Sequence, residues 1–332
     1  MDILKTLQAL NACHGPAGDE AGIADAIEAL AAPYADKMKR DTLGNLIVRK
    51  KGKGPKIMFT AHMDSIGFVV THIDEHGFLR FGKLGGLHPF DLLSTAVRFK
   101  NGVRGVVCLD NGVAPKDMTL EDLYLDIGAK DAEEAKSMVR VGDTAVYDTP
   151  AFAAGDRIIS PYMDNRISCV VLLMALEQLK DSDNDLYFVF TVQEELGLRG
   201  ARTAAFGIDP DFGVAVDVTP ADDEMNPKHS GSSVTGGGAA IKVMDGSVIC
   251  HPQVVRTMEK LAEEKGIPFQ MDVIRSGGTD AGAIHQTRSG VPSGGISIPC
   301  RYVHSPAEMV DRRDVEACAA LVTAFAEAEH KG

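Results

Sequence analysis

The sequence predicts an α/β protein: a layered α/β sandwich with a mixed, partly parallel central sheet and a small, mostly β domain inserted into it. Strand-like apolar runs alternate with helical patterns in residues 1–67 and again in residues 158–332, which is typical of an α/β sandwich. Between them, residues 68–157 are rich in glycine and in short β-like runs. We therefore expect one discontinuous main domain that a β-rich domain interrupts.

The first part of the main domain is predicted to contain two helices, a hairpin and a buried strand. Apolar residues at helical spacing mark the two helices near the N-terminus. Residues 45–48 are expected to form a hairpin strand, with Gly52 to Pro55 as its turn. The apolar run 56–60 is then a buried strand that places His62 and Asp64 just past its carboxyl end. Ligands bind outside such ends in open α/β sheets, so both residues are site candidates.

The later elements follow the same alternation. A helix from about residue 164 to 179 is apolar on nearly all sides, which predicts that it is buried. We expect further elements as follows: a short helix at 131–138 within the inserted domain, strands that end at Glu194 and Asp217, and helices at 252–264 and from 311 onward.

Composition limits the classes of function. Of the residues, 45% are hydrophobic and 24% are charged, which fits a folded globular protein. The net charge of −13 argues against nucleic acids and anionic membranes as partners. We expect no secretion signal and no membrane anchor, since neither pattern is present. The six cysteines have no paired spacing, which favours a reducing cytoplasm.

Two adjacent glutamates, Glu194 and Glu195, follow an apolar run. Neighbouring residues at a strand end point in opposite directions, so one carboxylate can hold a metal while the other faces the water bound to it. Such pairs also decorate solvated helix starts, so the pair alone is a weak signal. Further metal-type ligands strengthen it, most of them just past apolar runs: His62, Asp64, Asp164, Asp217 and His304.

Two imidazoles with several carboxylates form the ligand set that suits zinc, and also cobalt or manganese. The excess of carboxylates allows one of them to bridge two cations. Asp164 is the bridging candidate, and its neighbours Asn165 and Arg166 are expected to brace it through hydrogen bonds. The commoner fate of an aspartate at a helix start is to cap the helix.

Six ordered motifs resemble those of the dinuclear-metal glutamyl or deblocking aminopeptidases, and the resemblance spans nearly the whole chain. Members of that family assemble into tetrahedral dodecamers, and some carry a cellulase label. The resemblance implies a metallopeptidase α/β sandwich. The motifs are His62-Met63-Asp64, Met163 to Arg166, Gln193 to Gly197, Asp217-Val218, Gly278 to Ala281 and Arg301 to Pro306.

The resemblance also implies a set of three ligands for each of two divalent cations. Zinc is favoured, and cobalt or manganese would also fit. One cation would be held by His62, Asp164 and Asp217. The other would be held by Asp164, Glu195 and His304.

Catalytic roles are implied in the same way. Glu194 would be the general base that takes a proton from a metal-bridging water and delivers it to the leaving amine. Asp64 would sit behind His62 and fix the orientation of its ring. The substrates would be peptides that lose their N-terminal residue. The inserted segment would be a dimerisation domain of a homo-oligomer that admits only unfolded peptides.

One position departs from the family. Ser65 stands where the family usually has Glu directly after the aspartate of the first motif. A carboxylate near the site is therefore absent, which puts the metal preference in doubt but leaves all five proposed ligands in place.

Other functions stay open on the sequence alone. A dipeptidase or an N-acyl amino acid deacylase could use the same two-metal site, although related enzymes usually carry their extra domain later in the chain. A catalytically silent, peptide-binding shell protein is the non-enzyme alternative. A glycosidase needs two acids about 5 to 10 Å apart across a bond, which the adjacent Glu194 and Glu195 cannot provide.

Several residues near the motifs have two interpretations. Thr279 and Asp280 could form a wall that faces the substrate, or Asp280 could cap a helix. Arg275 and Arg301 could bind an acidic substrate side chain, or they could form structural ion pairs. His285 falls at helical spacing and is expected to be a core or interface residue rather than a ligand.

Overall fold

A computed structural model describes residues 1–330 of the chain. It shows a mixed α/β main body and a separate small β-barrel, which confirms the fold class predicted from the sequence. Each body has its own apolar core. No helix among the described residues combines the length and apolar character needed to cross a membrane.

The helices, in chain order, are α1 Ile3–Ala12, α2 Ala21–Ala31, α3 Pro89–Leu92, α4 Ala132–Met138, α5 Met163–Gln178, α6 Arg199–Ile208, α7 Pro252–Lys265, α8 Ala281–Ile284 and α9 Arg312–Glu327.

The strands, in chain order, are β1 Lys37–Arg40, β2 Leu46–Lys50, β3 Lys56–His62, β4 Gly67–Ile73, β5 Leu79–Leu84, β6 Ala96–Phe99, β7 Arg104–Leu109, β8 Leu123–Asp126, β9 Thr144–Tyr147, β10 Phe152–Ala154, β11 Arg157–Ser160, β12 Asp185–Thr191, β13 Phe212–Pro220, β14 Ala239–Met244, β15 Phe269–Val273, β16 Ser293–Arg301 and β17 Glu308–Asp311.

Four parallel strands form the centre of the main sheet. The order is β1-β2-β12-β3-β13-β16-β17-β11-β10, and β14 leaves this path to pair with β16 and β15. Strands β12, β3, β13 and β16 run parallel to one another, so their carboxyl ends lie at one edge. Binding sites in such sheets form at that edge, where side chains from several strands meet.

The predicted hairpin between β2 and β3 is wrong. Strand β12 lies between them and pairs antiparallel with β2 and parallel with β3, while β2 pairs with β1 on its other side. The segment after Lys50 is therefore a connection that passes over β12, and the backbone N–H groups of Lys53 and Gly54 donate to Asp183 O in the loop before β12. All seven residues of β12 are buried, which explains why this strand takes the central position.

Helix α5 is the central helix of the main core. Its residues from Met163 to Leu176 are buried except Asp164, as its nearly uniform apolar character predicts. It packs against β3, β13 and α9. Because its N-terminus lies below the carboxyl edge of the parallel strands, α5 presents Asp164 to that edge.

The barrel consists of six strands in the closed order β4-β5-β8-β7-β6-β9, with only antiparallel pairs. Closure leaves no free strand edge within the barrel. Its predicted helix is α4, capped by Asp131, whose carboxylate accepts the Glu134 N–H at 2.9 Å. Tyr147 at the end of β9 stacks on Tyr162 of the main body, with ring centroids 5.6 Å apart. The barrel is thus docked next to the start of α5.

Candidate active site

The carboxyl edge of the parallel strands and the start of α5 bring all the predicted site residues together. His62 ends β3, Glu194 and Glu195 lie in the turn after β12, and His304 lies in the loop between β16 and β17. Asp217 is not at a strand end as expected, because β13 stays paired with β16 up to Pro220. Its pairing with β3 stops at Ala215, however, so the Asp217 carboxylate reaches the space beyond His62.

Asp164 lies between the two histidines. Its Oδ1 is 2.9 Å from His62 Nε2, and its Oδ2 is 3.3 Å from His304 Nε2. Each carboxylate oxygen therefore faces a different imidazole. This is the arrangement that a carboxylate shared by two cations requires.

Three further carboxylates surround the imidazoles. Asp217 Oδ1 and Glu194 Oε2 are each 3.8 Å from His62 Nε2, while Glu195 Oε1 is 3.4 Å from His304 Nε2. Two groups have ligand atoms within 4.8 Å of one another and could each hold a metal ion: His62, Asp164 and Glu195, and His62, Glu194 and Asp217.

Backbone carbonyls orient both imidazole rings. His62 Nδ1 is 3.1 Å from Asp64 O, and His304 Nδ1 is 2.9 Å from Gly86 O in the barrel loop after β5. A Cβ at Gly86 would lie 2.6 Å from the His304 ring, so only glycine permits this approach. A proton on Nδ1 that is donated to the carbonyl would leave Nε2 available to coordinate a cation, as in metal-binding histidines.

The Asp64 carboxylate lies closer to the loop that carries Glu194 and Glu195 than to the ring of His62. Its Oδ1 and Oδ2 accept the N–H groups of Glu194 and Glu195 at 3.0 and 3.2 Å, whereas Oδ1 is 3.6 Å from His62 Nδ1. Glu20 Oε1 accepts the preceding Gln193 N–H at 3.1 Å. Two buried carboxylates thus bind three successive amides and fix the loop that carries the glutamate pair.

Glu308 joins two of the predicted ligands, and the sequence analysis missed it. It is only 1% exposed. Its Oε2 accepts the Asp164 N–H at 3.0 Å, and its Oε1 accepts the His304 N–H at 2.6 Å. One carboxylate therefore fixes the backbone of two residues from different elements, and no local pattern around Glu308 signals this.

Asn165 and Arg166 do not brace Asp164 as expected. Asn165 Nδ2 donates to Val216 O at 3.0 Å, which ties the start of α5 to β13. Arg166 is fully buried and donates to the carbonyls of Leu10 and Cys13 at 3.1 and 3.3 Å. Both side chains thus position the start of the helix rather than the Asp164 carboxylate.

Burial and mutual repulsion make the carboxylate cluster costly without a cation. Burial raises the pKa of both Glu194 and Asp217 well above the usual range, although the charge of His62 opposes this. Burial also lowers the pKa of His304, but Asp164 and Glu195 outweigh it and raise that pKa to about 12. Without a metal, the imidazoles would therefore take up protons. Divalent cations can replace those protons and offset the buried negative charge.

The residues present fit a metal centre. Two buried oxygens, Asp164 Oδ1 and Glu195 Oε1, have no hydrogen-bond donor within the described part of the chain other than the imidazoles that face them. Asp164 Oδ1 lies 2.9 Å from His62 Nε2 and Glu195 Oε1 lies 3.4 Å from His304 Nε2, so these residues could hold a cation that takes one nitrogen and one oxygen of each pair as ligands. Imidazole nitrogen with carboxylate oxygen is the donor set that zinc favours and that cobalt and manganese accept.

The cluster lies at the bottom of a cleft of about 510 Å³. Thr279 lines the cleft, as expected, but Asp280 lies behind it and accepts the Thr191 hydroxyl at 2.6 Å. Arg301 forms a two-pronged ion pair with Asp223, with both N–O distances 2.8 Å. Arg275 is exposed and is not part of the cleft lining.

Ser65 is buried, and its hydroxyl donates to Gly15 O at 3.4 Å. Its N–H donates to Gly15 O at 3.1 Å, and it forms a bridge with Pro16 in the turn before α2. The same turn leads directly to Glu20, the carboxylate that binds the glutamate loop. A buried carboxylate thus remains close to the site although position 65 lacks one.

An imidazole–carboxylate cluster at the carboxyl edge of a mixed α/β sheet defines the class of metal-dependent hydrolases. Residues 44–321 match the sequence profile of the M42 glutamyl aminopeptidase family. The chain therefore belongs to this family, and it is an aminopeptidase, a hydrolase that acts on peptide bonds. The resemblance inferred from the six motifs is confirmed.

Relatives of known name agree with this assignment. A protein of Acetivibrio thermocellus with aminopeptidase in its name is 48% identical over 95% of each chain. The lysyl aminopeptidase of Pyrococcus furiosus is 38% identical over 92% of this chain and 91% of its own. The glutamyl aminopeptidase of Lactococcus lactis is 31% identical over 92% of this chain and 90% of its own.

Solved structures share the whole fold. The aminopeptidase APDkam598 from the archaeon Desulfurococcus kamchatkensis is 42% identical and superimposes with a TM-score of 0.94 over 98% of this chain and 94% of that one. The Pyrococcus horikoshii TET1 peptidase, described as assembling into a tetrahedron or a large octahedral shell, is 31% identical. Its TM-score is 0.88 over 98% of this chain and 99% of that one.

Proposed function

We propose that this aminopeptidase uses two divalent cations to remove N-terminal residues from peptides. The observation that carries the proposal is the position of Asp164, whose two oxygens face Nε2 atoms of two different histidines, His62 and His304. A site for one cation needs no such shared carboxylate. Two sites that share Asp164 use both of its oxygens and both imidazoles.

Each proposed cation has two ligands besides the shared Asp164. His62 and Asp217 serve the first cation, and Glu195 and His304 serve the second. Zinc is favoured by the nitrogen and oxygen donors, and cobalt or manganese would also bind. When bound, the two cations polarise the scissile carbonyl and stabilise the negative charge that develops on its oxygen.

Glu194 is the proposed general base. Its carboxylate faces the cleft, 3.8 Å from His62 Nε2, and coordinates no cation in this scheme. It takes a proton from the attacking water as the new C–O bond forms, and it delivers that proton to the amine nitrogen as the C–N bond breaks. A carboxylate that coordinates no cation and faces the cleft can both accept a proton and return it. Asp64 supports this role by binding the Glu194 and Glu195 amides.

We also propose that the chain forms homo-oligomers and acts in the cytoplasm. The tetrahedral assembly of the Pyrococcus horikoshii TET1 peptidase, and a TET1 structure described as a dodecamer, support a dodecamer. The dimerisation domain would be the inserted segment, expected at residues 68–157 between residues 1–67 and 158–332. The barrel strands run from Gly67 to Tyr147, while β10 at Phe152–Ala154 already pairs in the main sheet. All six cysteines are free thiols, which suits a reducing compartment. Mass measurement in solution tests the assembly, and a stable monomer would contradict it.

The activity is tested on metal-free protein reloaded with zinc, cobalt or manganese. We expect about two metal ions per chain by elemental analysis and cleavage of aminoacyl-anilides, because both ligand sets are complete. Cleavage of N-acyl amino acids instead would favour the deacylase alternative. Two bound metals without any cleavage would favour the silent peptide-binding shell.

Glu194→Gln tests the base. The amide keeps the size of the side chain but cannot accept the proton, so kcat should fall by about 10²- to 10⁴-fold while the metal content stays unchanged. Glu263→Gln on the exposed face of α7 is the matched control and should retain full activity. Full turnover by Glu194→Gln would show that another group acts as the base.

A further inference from the structure

The wall of the cleft beside the metal-type cluster is apolar. Leu198 from the turn before α6, Val218 from β13 and Ile274 after β15 line it together. Val218 and Ile274 are 7% and 9% exposed, so little of either side chain is in contact with solvent. A substrate side chain that lies against this wall would lose its contact with water, which favours apolar groups.

The cleft offers no charged side chain for recognition outside the proposed metal site. Among the described residues, no lysine or arginine lines the cleft, and its acidic lining residues are Asp164, Glu194, Glu195 and Asp217. Two divalent cations would balance these four carboxylates, so neither sign of charge remains to attract a substrate side chain. This step rests on the proposed function.

Arg275 and Arg301, the two arginines considered for binding an acidic substrate side chain, do not lie where they could bind one in the cleft. Asp223 occupies Arg301 through two hydrogen bonds of 2.8 Å. Arg275 follows Ile274 but is exposed outside the cleft. The structure therefore gives no cation to pair with a glutamate side chain at this wall.

Hydrogen bonds hold the wall in place. The Ile274 N–H donates to Met244 O at 3.1 Å, and the Thr279 hydroxyl donates to the Asp245 carboxylate at 3.2 Å. These two bonds fix the ends of the loop 274–279, whose glycines face the cleft between them. The apolar surface is thus formed before a substrate binds, which lets it discriminate between side chains.

We propose that this wall selects peptides whose N-terminal residue has a neutral, apolar side chain, such as leucine or methionine. The proposal deepens the proposed aminopeptidase function by naming its substrate class. The lysyl and glutamyl aminopeptidases among the relatives carry the names of charged residues, and this cleft offers no partner for either. Burial of a charged side chain without a partner costs more than burial of an apolar one.

Anilides of leucine, alanine, glutamate and lysine, assayed on the metal-loaded protein as it assembles in solution, test the selection. We expect kcat/KM for leucine to exceed that for glutamate and lysine by at least about 100-fold, and that for alanine by about 10-fold or more. A preference for glutamate or lysine would overturn the proposal while leaving the aminopeptidase function standing. Cleavage of none of the four would instead contradict the proposed function.

Two variants of Ile274 test whether the apolar wall causes the preference for apolar N-terminal residues. Ile274→Arg should shift the ratio of glutamate to leucine cleavage toward glutamate by about 10-fold or more, since it adds a cation to the cleft. Ile274→Ala, the milder change, should reduce the preference of leucine over alanine. Val273→Arg is the matched control, because Val273 is 38% exposed and does not line the cleft. Unchanged ratios in both Ile274 variants would overturn the proposal. A glutamate preference that Arg275→Ala abolishes would also do so.

Discussion

Glu308→Gln should weaken metal binding although Glu308 is not a proposed ligand. The native carboxylate accepts the N–H of Asp164 through one oxygen and the N–H of His304 through the other. The amide of glutamine has one acceptor oxygen and one NH₂ group, so it can satisfy only one of the two N–H groups. The other N–H would face a donor, and the backbone of one ligand residue would move away.

The size of the effect follows from what is lost. Burial raises the pKa of Glu308 well above its usual range, so each of its hydrogen bonds contributes about 0.5 to 3 kcal/mol, the range that covers neutral and charged acceptors. The side chain is almost fully buried, so water cannot replace it freely. Loss of comparable groups that orient metal ligands typically weakens metal binding by about 10- to 100-fold. We expect the zinc dissociation constant of Glu308→Gln to rise by this amount. Glu308→Ala leaves both N–H groups unpaired, and should destabilise the fold by about 2 to 6 kcal/mol.

Zinc competition with a chromophoric chelator measures the dissociation constant, and thermal unfolding with and without metal separates the two possible effects. If Glu308 positions the ligands, the stabilisation that zinc gives to the protein should shrink in Glu308→Gln. Glu316→Gln on the exposed face of α9 is the control and should match the native protein. An equal loss of stability with and without zinc, with an unchanged dissociation constant, would refute the reasoning and leave Glu308 a purely structural residue.

Two other buried groups give predictions of different kinds. Glu20→Ala should lower kcat about 10-fold and change KM less, because the Gln193 N–H loses its acceptor next to the glutamate pair. Glu20→Gln should retain most of the activity, since one oxygen, Oε1, accepts the N–H groups of both Gly18 and Gln193. Equal loss in both variants would show that the charge rather than the hydrogen bond matters. Burial lowers the pKa of His14 from 6.5 to about 4. Between pH 6.5 and pH 4 the unfolded state therefore binds more protons than the folded state. The free energy of unfolding should fall by up to about 3 kcal/mol as the pH is lowered through this range. Denaturant titrations across this pH range should show a smaller loss for His14→Gln, and an identical loss would contradict the prediction.

Several candidate ligands could be found in the sequence because the sheet is parallel at its centre, whereas their division between two cations came from the family resemblance. Apolar runs mark the strands, and in a parallel arrangement the residues that follow each run meet at one edge. His62 and the glutamate pair after β12 were identifiable in this way, and Asp217 was identifiable although its strand runs on to Pro220. These signals are local, because each needs only a run of apolar residues in the sequence and a polar residue next to it.

The order of the strands could not be read in the same way. Strand β2 begins with three apolar residues and ends in basic ones, and a glycine-containing segment follows it, so a hairpin with the next strand was the simplest expectation. The actual neighbour, β12, lies more than 130 residues later in the chain, with Leu186 paired to Lys50. The choice between these partners depends on which arrangement buries all seven residues of β12, and that is a property of the whole sheet rather than of any segment.

The carboxylates that accept the backbone N–H groups of the site could not be predicted from the sequence. The turn after β12 places the N–H groups of Gln193, Glu194 and Glu195 in a largely buried position, and buried N–H groups need acceptors. That need can be anticipated from the position of the turn in the fold. Its suppliers cannot, because Asp64 and Glu20 come from a loop and a turn more than a hundred residues away. Asp64 was expected to orient His62 rather than to accept these amides, and an acidic residue at a helix start, such as Glu20, looks like a surface residue until tertiary structure buries it. Most candidate ligands of such a site are therefore visible where strands end, while the backbone amides that a carboxylate such as Asp64, Glu20 or Glu308 accepts become visible only when the chain is folded.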